Sequence, residues 1–588
     1  MVQDWKKLAL GFIFALGGAT SSINCAFAQQ ITIDGTLSPE RTLTGPNYII
    51  PQAYGQTVGN NLFQSFGRFN LNAGESGNFQ SDVNIRNILS RVTGGFASTI
   101  DGRIFTESAN VNLFFINPSG IIFGPNARID VGSATRGSFI ATTADALVWA
   151  NGSQFSATNP RGTSSLLTIV GDPSGFLSSL RPPQPIASSG NNLRVFDGQS
   201  LLLLGGNLTF DNSNLQTPGG RVELAGIAGT GTVGLEANGN IFNLNIPENL
   251  ARADVSLQNG TTIDVTGANQ GNIALFGRNV DITGGSKLRT GIGSGLGTLN
   301  SQAGDITVNA TGTVTINQAS RLSNTVADNA TGNAGNISIK AGEILINNQG
   351  SDPAISTNRS VQGRGGNVLL ESSGSIFVTG QSLNSVDLVI STLSGGQSPA
   401  SGDISLNASG AIKLDNAFFG AASFGGNGGN ISLQGNEISL ANNSSLVSQA
   451  FTRGNSGSIT LNSSGPISIQ NTLVNTAVDS SENTPSLQRG NAGDINISGR
   501  SVSVTGGSEI SSRSSRGVNS GNINVNATEF VEISGNAPEI PRPDSDRPNT
   551  FTNTILTTAA DNNSRGNAGN ISIKAGEIFI NNPAISRA

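Results

Sequence analysis

The chain has 588 residues, 77 of them Gly, with only 12% charged residues and a formal net charge of −6. That charged fraction is about half the usual ~25%, and no basic stripe is present, which argues against nucleic acid as a partner. The sequence holds no His and one Cys, so the usual general base, the His-dependent nucleophile pairs and the commonest metal ligand are missing.

The first 28 residues read as a secretory signal. Lys6 and Lys7 precede the apolar run Leu8 to Leu16, and Ala26-Phe27-Ala28 puts small residues at the positions that direct cleavage between Ala28 and Gln29. The run is shorter than the ~20 apolar residues of a membrane span. Ser22-Ile23-Asn24 ahead of Cys25 lacks the Leu and small residue of a lipidation site. Cleavage at Ala28 leaves a mature chain without cysteine, which can be threaded unfolded through a narrow pore with no covalent obstacle.

Residues 29–265 read as short strands, with a Pro-rich insertion at Leu180 to Pro185. They open on an aromatic stretch, NLFQSFGRFNL (Asn61 to Leu71). If it is extended, Leu62, Gln64, Phe66 and Arg68 face one way, and Phe63, Ser65, Gly67 and Phe69 the other. Apolar residues on both faces suit a strand buried against two things, or a segment that adds to a partner's sheet edge. Taken singly, Phe63, Phe66 and Phe69 are read as core, as buried aromatics usually are. Asn117-Pro118-Ser119-Gly120 has the form of a tight β-turn, with Pro second and Gly fourth. Arg221 and Glu223, and Arg91 within Ser90-Arg91-Val92, are read as surface charges of little energetic consequence.

Residues 266–588 repeat. GNAGNISIKAGEILINN (Gly332 to Asn348) returns as GNAGNISIKAGEIFINN (Gly566 to Asn582), and weaker copies begin at Gly271, Gly304, Gly366, Gly402, Gly429, Gly457, Gly493 and Gly521. Each copy is a Gly, a small polar residue and then apolar residues at alternate positions, the period of a strand with one face buried. Second and third alternating runs follow in most copies, as in GSIFV (Gly374) and LVISTL (Leu388). Three short strands per unit describe one coil of a parallel β-helix. Unit lengths drift, which a solenoid tolerates in its corner loops and a closed propeller does not. The longest loops are Asp479 to Gly490 and Asn536 to Asn549. The first half has the position of the cap that a solenoid's open strand edge requires.

Several first-half motifs, taken in order, carry a resemblance: NLFQSFGRFNL, NIRNILSRVTGG (Asn84), STIDGRI (Ser98), NLFFINPSGIIFGPNARIDVGS (Asn112), FIATTADAL (Phe139), LLLLGGNLTF (Leu201) and PGGRVELAG (Pro218). Together they resemble the N-terminal secretion domain of filamentous-haemagglutinin-type exoproteins, the secreted partners of two-partner secretion (TPS) systems. The turn the family usually writes NPNG is NPSG here, and Gln64 stands where the family often has His. The resemblance implies an all-β chain, a right-handed parallel β-helix with an N-terminal secretion and capping domain. It also implies recognition in the periplasm by soluble domains of a dedicated outer-membrane transporter, then export to the cell surface or medium. The residues expected to serve that recognition are Asn61, Leu62, Phe63, Phe66, Phe69 and Asn70, with Asn117, Pro118, Ser119 and Gly120.

The function expected is an adhesin-like surface exoprotein, not an enzyme, with no cofactor. Its outward partners would be host-cell, neighbouring-cell or polysaccharide surfaces. The C-terminus, NNPAISRA, stops inside a repeat, without the alternating barrel segment of a self-transporter or a toxin module. The alternative is a β-helical polysaccharide hydrolase or lyase, which needs paired carboxylates. Asp281, Asp305, Asp403 and Asp494 are the candidates, and the last three occupy a repeating Gly-Asp turn slot.

Overall fold

The computed structural model describes residues 30–581, apart from 163–165, 180, 240, 360–362, 382–387, 397–399, 453, 480–489, 516–517, 536–552 and 561–565. The signal segment with its Ala28–Gln29 junction, and nearly all of the two longest loops, lie outside the described residues.

Strands dominate, and the repeating unit is one turn of a parallel β-helix. The first sheet begins with Asn61–Phe69 and continues through Asn87–Val92, Asn112–Ile116, Phe139–Thr142, Ser200–Gly205 and Arg221–Gly226. It then passes through Asn272–Gly277 and nine further strands to Ile571–Lys574. A second sheet of 15 strands and a third of 12 complete the coils, with a separate 4-stranded sheet in the third position of the first coils. From Asn272 onward, coil length varies from 27 to 36 residues and reaches 48 at the last turn. Strands stack at about 4.8 Å, so sixteen coils make a rod of roughly 70 Å.

The period-2 pattern is realised directly. In the coil from Ile337 to Ile355, the residues Ile337, Ile339, Ile344, Ile346 and Ile355 all point inward and are essentially solvent-free. Burying each contributes about 1.5–3 kcal/mol relative to exposure.

From Gly304 onward, the Gly two residues before the first strand of each coil is required by its neighbour, not by its own backbone angles. A Cβ on Gly366 would lie 1.8 Å from the carbonyl oxygen of Gly335, and one on Gly402 would lie 1.8 Å from that of Gly366. These glycines form a column where successive coils touch. Buried hydroxyls of the third sheet serve it: Thr357, Thr392, Ser448 and Thr476 donate to the carbonyls of Gly366, Gly402, Gly429 and Gly493. The polar residue after each Gly forms a ladder. The Asn272 Oδ1 accepts from the Asp305 N–H, Asp305 from Asn336, Asn336 from Asn367, Asn367 from Asp403, and Asp403 from Asn430. The GNAGN repeat holds two such columns, since Asn491 and Asn519 stack in the same way three residues earlier in the unit.

The cap is smaller than the first half of the chain. Ile31–Ile33 and Gln56–Val58 pair antiparallel with Asn61–Phe69 and close the sheet edge there, while residues from Asn61 onward already form coils. What distinguishes the early coils is a five-stranded antiparallel sheet (Ala146–Val148, Gln154–Ser156, Gly175–Ser178, Gly231–Asn238 and Ile241–Asn245) laid on the outer face of the first sheet. Outward residues of the early coils are therefore apolar: Phe63, Leu89, Phe114, Ile140 and Leu202 succeed one another in register beneath it. That is why LLLLGG and NLFFI lack alternation; both faces of those strands are buried.

Candidate functional site

The expected recognition residues fall in two places. Asn61–Phe69 is the first full strand of the first sheet, and all of it except Gly67 and Arg68 is buried. Leu62, Phe66 and Phe69 enter the core inside the helix, where the Phe69 ring meets Phe66 at 5.2 Å, Phe79 at 5.8 Å and Phe115 at 5.0 Å. Phe63 points outward beneath the added sheet, 5.0 Å from Phe155 in an edge-to-face contact.

Strict alternation would place Phe69 on the Phe63 face, and here the structure corrects the sequence. Ile33 pairs with Phe66, while Thr32 pairs with Arg68, so Gly67 is an extra residue on this strand. The resulting bulge turns Phe69 inward.

The asparagines have structural partners. Asn61 donates to the Gly171 carbonyl at 2.8 Å and accepts from Asn87, which in turn accepts from Asn112. Asn70 accepts from the Thr99 N–H at 2.9 Å. Asn117 is fully buried: its Nδ2 donates to the Phe96 carbonyl and to Ser98 Oγ, and its Oδ1 accepts from the Ser119 N–H. The Gly120 N–H donates to the Asn117 carbonyl at 3.1 Å, closing the turn, and Gly120 has φ +114°, which favours Gly. Pro118 is buried and Ser119 half-buried. These two motifs offer solvent only half-buried groups, Gly67, Arg68, Asn70 and Ser119; the Arg68 guanidinium lies 4.6 Å over the ring of Phe96, which is 58% exposed. Ile122, just after the turn, is 44% exposed. Phe96 follows two glycines and belongs to no alternating run, so only the turn's position pointed to it.

Two charged groups read as surface features are buried. Arg91 is 3% exposed. Its Nε donates to Ser65 Oγ, its Nη1 to the Ser156 carbonyl, and its Nη2 to Thr36 and the Pro160 carbonyl, with Phe155 beneath it at 4.3 Å. Burial lowers its pKa to about 10, with the charge of Asp34 opposing. Asp34 accepts from Ser65, Thr93 and Thr36. Burial would raise its pKa, but these hydrogen bonds outweigh it and the pKa is lowered. The pair joins the cap, the aromatic strand, the next coil and the added sheet through Ser65.

Glu223 is fully buried, bonded to Arg221 at 2.5 Å and to the Leu244 N–H at 2.6 Å. Burial raises its pKa, against the Arg221 charge. The physical reason for both corrections is the added sheet, which covers an outer face that a bare β-helix leaves wet. A polar residue inside an otherwise continuous apolar run was the available signal.

The carboxylates considered for hydrolysis do not converge. Asp281 lies on the second sheet, and Asp305, Asp403 and Asp494 lie in the corner column. Asp305 and Asp403 are three coils apart, roughly 14 Å at the strand spacing, beyond the ~5–9.5 Å of a glycosidase pair. Among the described residues no group of three His, Cys, Asp or Glu side chains is placed to hold a metal, and no helix is long and apolar enough to cross a membrane.

Residues 29–275 match the family model of the TPS secretion domain. Among solved structures, the chain is similar to the HMW1 secretion domain from Haemophilus influenzae, at 16% identity, covering 66% of this chain and 94% of that one with a TM-score of 0.46. No curated protein matches the sequence.

Proposed function

We propose that the chain, which matches the TPS secretion domain over residues 29–275, is a two-partner-secreted exoprotein of the filamentous-haemagglutinin type whose β-helical rod acts outside the cell in adhesion or surface structure. The domain match carries the export reading. The rod supports the rest, because ten coils beyond the early ones present a long, polar, regularly spaced surface. In a solenoid each coil packs only on its neighbours, so folding can propagate from a formed end. The capped coils at the N-terminus supply such an end as the chain emerges from the transporter. Residues 29–265 would act as the secretion domain and 266–588 as the displayed rod.

Within the secretion domain, we assign contact with the transporter's periplasmic domains to the surface around the NPSG turn, with Phe96 and Ile122 as its exposed members and the half-buried Arg68 beside them. The buried Leu62, Phe63, Phe66 and Phe69 would shape that surface from below, or be read while the segment is still unfolded.

The test is secretion with and without the partner transporter. The mature chain should reach the medium only when the transporter is co-expressed, and deletion of residues 29–275 should hold it in the periplasm. Release without a transporter would overturn the export reading. Failure of the purified rod to bind host cells, neighbouring bacteria or polysaccharide surfaces would overturn the adhesive one.

A further inference from the structure

The outer face of the first sheet changes character where the added sheet ends. One register column of outward residues runs through Leu204, Ala225 and Phe276 and then becomes polar: Asn309, Lys340, Glu371 and Asn407 stack in successive coils. The segment leaving the added sheet brings Glu248 and Arg252 alongside this column. Between them lies a groove of about 750 Å³, within the ~300–1,000 Å³ range of ligand sites.

Arg252 forms one wall. It is 7% exposed, and its Nη1 donates to both the carbonyl and the side-chain oxygen of Asn309 at 2.9 Å. Its Nε is buried and has no acceptor. Lys340 and Glu371 are register neighbours of opposite charge, yet neither belongs to an ion pair among the described residues.

We propose that this groove binds an extended glycan lying along the rod axis; the idea rests on the displayed-rod reading and gives that rod a ligand site. The floor offers one amide or charged group per coil at about 4.7–4.9 Å, close to the advance of one sugar ring in an extended chain. Side-chain amides donate to and accept from vicinal hydroxyls, and carboxylates accept from them. Arg252 and Lys340 at the end near the added sheet favour an isolated carboxylate on the ligand, whereas Glu248 and Glu371 disfavour an acid on every sugar. The preferred ligand is therefore neutral or sparsely acidic.

The experiment is native affinity electrophoresis of the purified mature chain in gels containing glucuronoxylan, mixed-linkage β-glucan or polygalacturonate. Glucuronoxylan or β-glucan should retard the protein, and polygalacturonate should not. The outward-facing double variant Lys340→Ala/Glu371→Ala should lose at least tenfold in affinity, and Lys340→Met/Glu371→Met, which removes the polar groups but keeps side-chain volume, should lose as much. Asn496→Ala/Asn524→Ala, on the same sheet far along the rod, should bind as wild type. Absence of retardation by both favoured glycans, equal retardation of the groove variants, or preferential binding of polygalacturonate would each overturn the proposal. Transporter-dependent release of the same variants reads export separately, so a failed glycan site is distinguishable from a failed exoprotein assignment.

Discussion

Replacing Phe63 and Phe66 together by Ala tests how the aromatic strand acts. Both rings are fully buried, but they serve different cores: Phe66 packs inside the helix against Phe69 and Phe79, and Phe63 packs under the added sheet against Phe155 and Trp149. A Phe→Ala change in a core costs about 3–5 kcal/mol. Sites in separate cores tend towards additivity, though adjacency on one strand limits this, so the pair should cost roughly 6–10 kcal/mol. That is comparable with the whole stability of an ordinary domain, about 5–15 kcal/mol. The early coils should then be open much of the time, and the chain should be degraded in the periplasm.

The assay pairs secretion with protease sensitivity of the purified mature chain, and adds Phe63→Leu/Phe66→Leu, which keeps most of the apolar volume. If packing is the role, the Leu pair recovers both protease resistance and secretion. A Leu pair that resists protease but stays in the periplasm would show that the rings themselves are read. A secreted, protease-resistant Ala pair would refute the core assignment altogether.

Further outcomes follow from the same geometry. Gly402→Ala should force a Cβ against the Gly366 carbonyl, part the two coils at a cost of at least about 1–3 kcal/mol, and open a protease site between residues 366 and 402 while the early coils stay resistant. Phe96→Ala and Arg68→Ala, both at the surface, should leave protease resistance unchanged and reduce transporter-dependent release severalfold; normal release of both would remove them from the recognition surface. The raised pKa of Glu223 means that the folded chain holds more protons than the unfolded one. Stability from this group therefore falls as pH rises from the ordinary glutamate value through the raised one, and Glu223→Gln should flatten the urea-midpoint profile there. Asp34, with a lowered pKa, contributes stability at neutral pH that is lost as pH falls below the ordinary aspartate value of 3.8, and Asp34→Asn should abolish that acid-side loss.

Much of the rod was legible from residue order. Alternation at Ile337, Ile339, Ile344 and Ile346 follows from the geometry of a strand with one face in a core. The recurring Gly-polar pair marks the corner where coils touch, so coil boundaries could be read without coordinates. The NPSG turn was equally visible, because Pro and Gly restrict the backbone locally.

Tertiary structure decided what depends on a second layer. Whether Arg91 and Glu223 were wet or dry hung on a five-stranded sheet assembled from segments as far apart as Ala146 and Asn245, and pattern over a short window carries no information about such a cover. The face taken by Phe69 depended on a bulge at Gly67, which is fixed by pairing with Ile31–Ile33 about thirty residues away. The groove beside Arg252 exists only because that cover ends one coil before Asn309. Local period and turn chemistry are short-range properties and are written in the sequence; burial is a property of what lies opposite, and only the folded chain brings that into place.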